Sequence, residues 1–259
     1  TFTTAAAVFL HDLVAVYRQG LHAEHRITYF MSGGAATPPA LIREANELGV
    51  MAWRGYGMTE TGGGVCWGSP HESIEVMAET DGRVIPGTEI QAVDADRNPL
   101  PPGGEGEIRV RSPQSMMGYT VEELTRAQLD DAGWTYTGDV GTVDASGLVR
   151  ITGRIKDIIN RAGEKFSTRD IEELILSHPS ITSVAVVGLP DDRLGEIVGA
   201  FVTLAPGVEW DGGLAVQEYL KDRRLTLQKI PASWTVLDAL PITASGKVQK
   251  HVLAKMPRP

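Results

Sequence analysis

Apolar residues are spaced as in helices over some segments of the chain and gather into short β-rich runs elsewhere. Residues 4–19 carry apolar side chains at helical spacing and end before Gly20, a residue type that often follows the last helical turn. The β-rich run ITYFMSGG at 27–34 predicts a strand. The segment PPALIREANELG at 38–49 then predicts a helix with proline at its entry, and VMAWRGYG at 50–57 predicts the next strand.

Strand, helix and strand in this order predict a βαβ unit with a parallel sheet. Ligands bind to such sheets at the carboxyl ends of the strands. Two glycine-rich segments, SGGA at 32–35 and GYGMTETGGG at 55–64, are expected at such ends. Both are therefore candidate ligand-binding loops.

The pattern changes after residue 73 and again after residue 153. Short strands separated by turn residues fill 74–153 and predict a β-barrel-like or sandwich-like subdomain. After residue 153, segments that predict helices alternate with segments that predict strands. The expected elements are an amphipathic helix at 167–178 capped by Ser167 or Thr168, strands at 183–190 and 196–204, and a helix at 214–224.

These patterns predict a multidomain protein of mixed α/β and α+β class. The expected parts are an α/β subdomain at 1–73, a small β-barrel subdomain at 74–153, and a compact C-terminal α+β domain at 154–259.

Composition narrows the possible functions. A net charge of −9 argues against a nonspecific nucleic-acid binder, which needs a basic face. There is no apolar run of the roughly 18 residues that a membrane helix needs, and the single cysteine, Cys66, rules out an intrachain disulfide, so we expect a soluble cytoplasmic protein. The first lysine is Lys156, so lysine-dependent chemistry must come from the C-terminal part.

The hexapeptide GYGMTE at 55–60 combines residue types that suit a nucleotide. Its two glycines allow the backbone to approach a ligand closely, and Tyr56 offers a flat face for stacking on a base. Thr59 and Glu60 place a hydroxyl and a carboxylate where a phosphate and its magnesium could bind. Taken alone, the hexapeptide fits an ordinary glycine-rich turn better than a nucleotide site.

Three more motifs follow it in order: YTGD at 136–139, GRIKDIINRAGEKFS at 153–167 and LPITASGKVQK at 240–250. With all four motifs, essentially the whole chain resembles the adenylate-forming superfamily of acyl-CoA synthetases, luciferases and peptide-synthetase adenylation domains. The resemblance implies that a carboxylic acid and ATP form an acyl-adenylate and pyrophosphate, and that the acyl group then passes to a thiol. It implies ATP, Mg²⁺ and coenzyme A as cofactors and co-substrates.

The resemblance also implies a nucleotide site. Its implied members are Gly33, Gly34, Ala35, Gly55, Tyr56, Gly57, Met58, Thr59, Asp139 and Arg154. Tyr56 would stack on adenine, Thr59 would contact the α-phosphate, and Glu60 would hold magnesium. Asp139 would accept hydrogen bonds from the ribose hydroxyls, and Arg154 would be a second ribose or phosphate contact. By themselves, Asp139 also fits a turn residue and Arg154 a surface ion-pair partner.

Three residues of the C-terminal part receive roles from the same resemblance. Lys247 would be catalytic, together with Thr59 and Glu60 of the large domain. Lys156 matches the hinge position of a mobile C-terminal domain, and Gly163 matches the passage of the pantetheine arm. Lys165 is a candidate for binding CoA phosphates because of its charge. Without the resemblance, each lysine also fits an ordinary solvent-exposed lysine, and Gly163 also fits an ordinary turn glycine. Arg161, Arg193 and Lys221 are further candidates for CoA phosphates.

One family motif is missing: no Ser/Thr/Gly-rich phosphate loop with its lysine occurs in residues 1–31. We therefore expect the chain to begin inside the large N-terminal domain and to have weak or no adenylation activity. The local candidates for the acyl pocket are Met58, Gly62, Gly63, Gly64 and Trp67. A fatty or other hydrophobic acid is the expected substrate. The alternatives are a peptide-synthetase-like adenylation domain and a noncatalytic nucleotide- or CoA-binding fragment; the sequence does not indicate the oligomeric state.

Overall fold

The computed structural model describes residues 1–20, 27–243 and 247–256. The chain divides into two compact units, Thr1–Ile151 and Thr152–Pro259. The expected division at 73 and 153 into three parts stays a prediction. None of the helices in the described ranges is long and apolar enough to cross a membrane.

The first unit begins with a sheet built on a parallel core. Its strands are β1 (Phe2–Ala5), β2 (Tyr29–Ser32), β3 (Met51–Met58), β4 (Gly63–Trp67) and β5 (Arg83–Val84), in that spatial order. The first three run parallel, whereas β4 and β5 join antiparallel. Helix α1 (Ala7–Arg18) follows β1, and α2 (Pro39–Glu47) connects β2 to β3. The predicted βαβ unit is confirmed.

The helix expected at 4–19 is wrong at its first two residues. Thr4 and Ala5 belong to β1, where they pair with Met31 and Ser32 of β2, and the helix begins at Ala7. The spacing of apolar residues along 4–19 cannot reveal this pairing, because the partner strand β2 lies more than twenty residues further along the chain.

The strand predicted at 50–57 is confirmed as β3, and GYGM at 55–58, which also belongs to the glycine-rich segment 55–64, forms its last four residues. The reason is β4, which folds back along it. Gly55 pairs with Trp67 and Tyr56 pairs with Cys66. The backbone of this segment is therefore held in a strand.

The rest of the first unit is β-rich. It contains α3 (Ile74–Glu79), β6 (Glu89–Val93), β7 (Glu105–Arg111), α4 (Glu122–Gln128), β8 (Thr135–Val143) and the first half of β9 (Val149–Arg154), which crosses into the second unit. The four strands form one sheet in the order β6-β7-β8-β9. The sequence predicted a barrel-like or sandwich-like subdomain here; in the described residues these strands form an open sheet and do not close into a barrel. Its buried side chains Ile90, Ile108 and Val110 pack with Val65 and Cys66 of β4, so the two sheets share a core.

The second unit is a separate α+β body. Its elements are β10 (Ile158–Arg161), β11 (Glu164–Ser167), α5 (Arg169–Leu176), β12 (Ile181–Asp191), β13 (Gly195–Leu204), α6 (Leu214–Asp222), β14 (Ser233–Val236) and α7 (Lys250–Leu253). The sheet has the order β11-β10-β13-β12, and β14 lies parallel to β13. The amphipathic helix expected at 167–178 is confirmed as α5, which buries Ile171 and Ile175. Ser167 Oγ accepts from the backbone N–H of Arg169 (3.2 Å), so its side chain bonds the first turn.

Candidate functional site

The first glycine-rich loop, SGGA, follows β2 as predicted. Gly33 N–H donates to the carbonyl of Ala5 (3.1 Å), and a Cβ at Gly33 would lie 3.4 Å from the carbonyl oxygen of Gly55. The loop therefore borders the GYGM end of β3. Gly34 is exposed and has a positive φ of 77°, and Ala35 is half-exposed.

The buried side chain of Arg54 binds the backbone at Thr37, two residues after this loop. Arg54, 3% exposed, donates from a guanidinium nitrogen to the carbonyl of Thr37 (3.2 Å) and from Nε to that of Thr80 (3.0 Å). Its Nε lies 3.5 Å from Oδ1 of Asp81, whose other oxygen accepts from the N–H of Ile151 (2.8 Å). The ion pair and its hydrogen bonds thus connect β3 with three other segments of the first unit, at residues 37, 80–81 and 151.

Tyr56 and Asp139, both predicted to bind the nucleotide, meet although they are 83 residues apart. The Tyr56 hydroxyl donates to Oδ2 of Asp139 (2.7 Å). Asp139 lies in β8 and is 5% exposed, and its N–H donates to the hydroxyl of Thr137 (3.1 Å). Burial, reinforced by the charge of Asp139, raises the pKa of the Tyr56 phenol above its ordinary value. The phenol is therefore a proton donor at neutral pH.

Gly57 at the end of β3 and Gly64 in β4 permit close packing between these two strands. A Cβ at Gly57 would collide with the backbone of Gly63, and one at Gly64 would collide with the indole of Trp67. Met58 ends β3, and its N–H donates to the Thr61 hydroxyl (3.1 Å). The turn that follows is therefore tightly held.

That turn, a short 3-10 helix at Thr59–Thr61, carries the predicted phosphate and metal residues. Thr59 is exposed and Glu60 is half-exposed. The hydroxyl of Tyr119 donates to Oε1 of Glu60 (2.8 Å). Loss of solvent and the neighbouring carboxylate raise the pKa of Tyr119 to about 12, so this phenol also stays protonated.

These residues suit a magnesium ion bound mainly through its nucleotide. In the ranges that the structure describes, no group of three or more His, Cys, Asp and Glu side chains could hold a metal. Magnesium usually takes one or two carboxylates and completes its shell with substrate phosphates and water. Glu60 beside an exposed threonine hydroxyl fits that requirement.

Lys247 of the second unit is exposed. Lys247 N–H donates to the hydroxyl of Thr243 (3.1 Å), and Thr243 N–H donates to the carbonyl of Lys247 (2.8 Å). Residues 244–246 of the predicted TASGK turn lie outside the described residues. The apparent helical tail is confirmed as α7, where Lys250 Nζ lies 2.7 Å from both Oε1 of Glu172 and the hydroxyl of Thr168.

The other predicted residues of the C-terminal part lie at exposed positions. Arg154 ends β9, and Lys156 lies in the short 3-10 helix Ile155–Asp157. Gly163 and Ala162 form the two-residue turn between β10 and β11, with φ values of 89° and 52°. Such a pair of positive φ values is typical of a type I′ hairpin turn. Lys165 follows in β11.

Comparison with known proteins identifies the family. A model described as AMP-binding enzyme matches residues 1–120, and one described as AMP-binding enzyme C-terminal domain matches residues 170–247. Together they account for more than half of the chain. The chain belongs to the AMP-binding enzyme family.

Individual members of this family align with nearly the whole chain. The medium-chain fatty-acid–CoA ligase of Escherichia coli (strain K12) is 38% identical over 266 residues, 98% of this chain and 45% of that protein. The o-succinylbenzoate CoA synthetase of Bacillus subtilis, solved with the acyl-adenylate OSB-AMP, has a TM-score of 0.86 at 30% identity and is matched over 100% of this chain and 51% of its own. ATP-bound MatB from Rhodopseudomonas palustris has a TM-score of 0.86 at 29% identity, over 98% and 50%. The chain spans about half the length of these proteins.

Three residues of the site in the first unit were not predicted from the sequence: Arg54, Asp81 and Tyr119. Arg54 could have been noticed as a charge inside the otherwise apolar run VMAWRGYG. Asp81 and Tyr119 carry no comparable signal, since each is defined by a partner distant in sequence.

Proposed function

We propose that the natural protein is an ATP-dependent carboxylic acid–CoA ligase that forms an acyl-adenylate and then a CoA thioester. The observation that carries the proposal is the hydrogen bond between Tyr56 and Asp139, beside a strand end where a Cβ at Gly57 would collide with the backbone of Gly63. It unites two separate motifs at the end of a parallel sheet, where nucleotides bind in such folds.

The nucleotide half of the proposed site is built in the first unit. Asp139 accepts hydrogen bonds from the ribose hydroxyls, because an ionised carboxylate is an acceptor and vicinal hydroxyls supply two donors. Tyr56 presents its ring to the adenine while its hydroxyl holds Asp139 in place. Gly33, Gly34 and Ala35 border the base without side chains that would block it.

The phosphate part is formed by the turn after β3. The Thr59 hydroxyl donates to the α-phosphate, and Glu60 binds magnesium. When bound, magnesium neutralises phosphate charge as the acid attacks. The tight packing of this turn holds both side chains at the end of β3.

The second unit supplies the remaining proposed groups. The Lys247 ammonium neutralises charge that develops on the phosphate during adenylation, as its long stem and exposed position allow. Lys156 serves as the hinge. Gly163 leaves room for the pantetheine arm during thioester formation, and Lys165 and Arg154 contact phosphate or ribose oxygens.

A fatty or other hydrophobic acid is the proposed substrate. The indole of Trp67, half-exposed, covers Gly64 and so forms an apolar wall beside the GYGM strand. The 38% sequence identity to a medium-chain fatty-acid–CoA ligase supports the same class of acid.

The first test is titration calorimetry of this 259-residue chain with a nonhydrolysable acyl-adenylate analogue. We expect saturable binding that Asp139→Ala abolishes and that Asp94→Ala leaves unchanged. Asp94 is the control because it is a half-buried turn aspartate that accepts hydrogen bonds from the N–H groups of Asp96 and Asn98 and lies in no predicted binding motif. Equal loss in both variants would favour a merely structural role for Asp139.

The second test uses the full-length natural protein and measures acid-dependent exchange of pyrophosphate into ATP. Lys247→Ala should abolish the exchange yet still convert a supplied acyl-adenylate to the CoA thioester. The control is Lys255→Ala, which removes another exposed lysine of the same tail. An enzyme that shows no exchange with any carboxylic acid would contradict the ligase proposal and leave the noncatalytic alternative.

A further inference from the structure

The segment 112–119 lies over the turn that carries Glu60. Met116 N–H donates to the carbonyl oxygen of Glu60 (2.8 Å). Gln114 Nε2 donates to the carbonyl of Gly64 (3.0 Å), on the other side of the turn. The backbone around Glu60 is therefore held by a segment more than fifty residues further along the chain.

Tyr119 ends this segment, and its side chain reaches the carboxylate itself. Its hydroxyl lies 2.8 Å from Oε1 of Glu60 and 2.6 Å from the amide oxygen of Gln128. A phenol has one proton and cannot donate to both. The oxygen and nitrogen of a side-chain amide are assigned from their hydrogen bonds, so a Gln128 amide rotated by half a turn donates to the Tyr119 oxygen. Gln128, Tyr119 and Glu60 then form a chain of hydrogen bonds that ends on one carboxylate oxygen.

We propose that Tyr119 is a positioning residue that orients Glu60 for the magnesium nucleotide. The proposal rests on the proposed function, in which Glu60 holds the metal. Oε1 is held by Tyr119, and among the residues described no donor contacts Oε2. The carboxylate therefore presents one oxygen in a set direction. Hydrogen-bond partners that orient a metal ligand commonly contribute about 10- to 100-fold to metal affinity.

A purely structural role is the alternative. The N–H of Tyr119 donates to the hydroxyl of Thr125 (2.8 Å), so the residue also joins the segment to α4. Tyr119→Phe keeps the ring and this backbone bond and removes only the hydroxyl. Tyr219→Phe is the matched control, because the Tyr219 hydroxyl donates to the carbonyl of Ser177 (2.9 Å) in the second unit.

The test measures binding of Mn²⁺, used as a paramagnetic probe for magnesium, to the full-length natural protein with ATP by electron paramagnetic resonance. Tyr119→Phe should weaken Mn²⁺ binding about tenfold, while its Tm falls no more than that of Tyr219→Phe. Tyr219→Phe should leave Mn²⁺ affinity unchanged. If Tyr119→Phe does not fold, Gln128→Leu takes its place and should weaken Mn²⁺ binding in the same direction by less.

Unchanged Mn²⁺ affinity in Tyr119→Phe, or in Gln128→Leu where it takes its place, would overturn the proposal. Glu60→Gln separates this failure from that of the proposed function. If Glu60→Gln weakens Mn²⁺ binding and Tyr119→Phe does not, Tyr119 has no positioning role and the metal role of Glu60 stands. If Glu60→Gln has no effect, the metal role of Glu60 is wrong, and the role of Tyr119 is wrong with it.

Discussion

The hydroxyl of Tyr56 donates a 2.7 Å hydrogen bond to the carboxylate of Asp139, across two sheets of the same unit. Asp139 is buried, so its charge depends on donors that the protein supplies. If the ribose hydroxyls bind Asp139 as proposed, they are additional donors to the same carboxylate. The Tyr56–Asp139 pair therefore contributes both to the stability of the fold and to the proposed nucleotide site.

The first prediction concerns Tyr56→Phe, which keeps the ring and removes one donor from Asp139. We expect the free energy of unfolding without ligand to fall by about 1–3 kcal/mol, because a buried carboxylate loses a partner. Ribose hydroxyls would restore part of the loss, so an acyl-adenylate analogue should raise the Tm of the variant more than that of the wild type. An equal rise in both would argue against ribose at Asp139.

The second prediction concerns the buried ion pair of Arg54 and Asp81. Arg54→Met or Asp81→Asn should each reduce the free energy of unfolding by about 3–5 kcal/mol, because the remaining group is left buried without its counter-charge. The double variant should lose less than the sum. Denaturant titration measures these values. The control is Glu72→Gln at the exposed pair with Arg83, where about 1 kcal/mol or less is expected; similar losses at the two pairs would refute the argument.

The third prediction concerns Cys66, which is fully buried. Burial, and then the charge of Asp81, raises the pKa of the thiol above its ordinary range. Since the thiolate is the reactive form, iodoacetamide should modify the folded protein much more slowly than an exposed thiol, both at pH 8 and at pH 9. In denaturant the reaction should be fast and should follow an ordinary cysteine titration. The chain has one cysteine, so intact-mass spectrometry reads the result directly; rapid labelling of the folded protein would show that Cys66 is accessible.

The fourth prediction separates backbone strain from CoA passage at Gly163. Its φ is 89° and no other atom lies within 4 Å of the position that a Cβ would take, so Gly163→Ala should cost about 1–2 kcal/mol through strain alone. Gly207→Ala is matched, with φ of 78° and equally open surroundings. In the full-length natural protein both variants should form acyl-adenylate normally, and only Gly163→Ala should slow thioester formation. Equal rates of thioester formation would remove Gly163 from the proposed CoA path.

Local pattern was sufficient for much of the architecture. The helix at 38–49, the strands on either side of it and the amphipathic α5 follow from apolar spacing and from proline and glycine at their ends. The ordered motifs that carry the family resemblance are likewise local in sequence. Each of these features depends on residues a few positions apart, so the chain shows them without its fold.

Pairing between distant segments decided the rest. Thr4 and Ala5 lie in a strand because β2 binds them, and GYGM is extended because β4 folds back on it. The Tyr119–Glu60 and Arg54–Asp81 contacts join residues 59 and 27 positions apart. The sequence by itself determined the elements and the motif residues, because periodicity and turn chemistry act over short range. The tertiary structure alone decided which side chains hold those motif residues in place, because hydrogen bonds and ion pairs between separate strands form only when the sheets assemble.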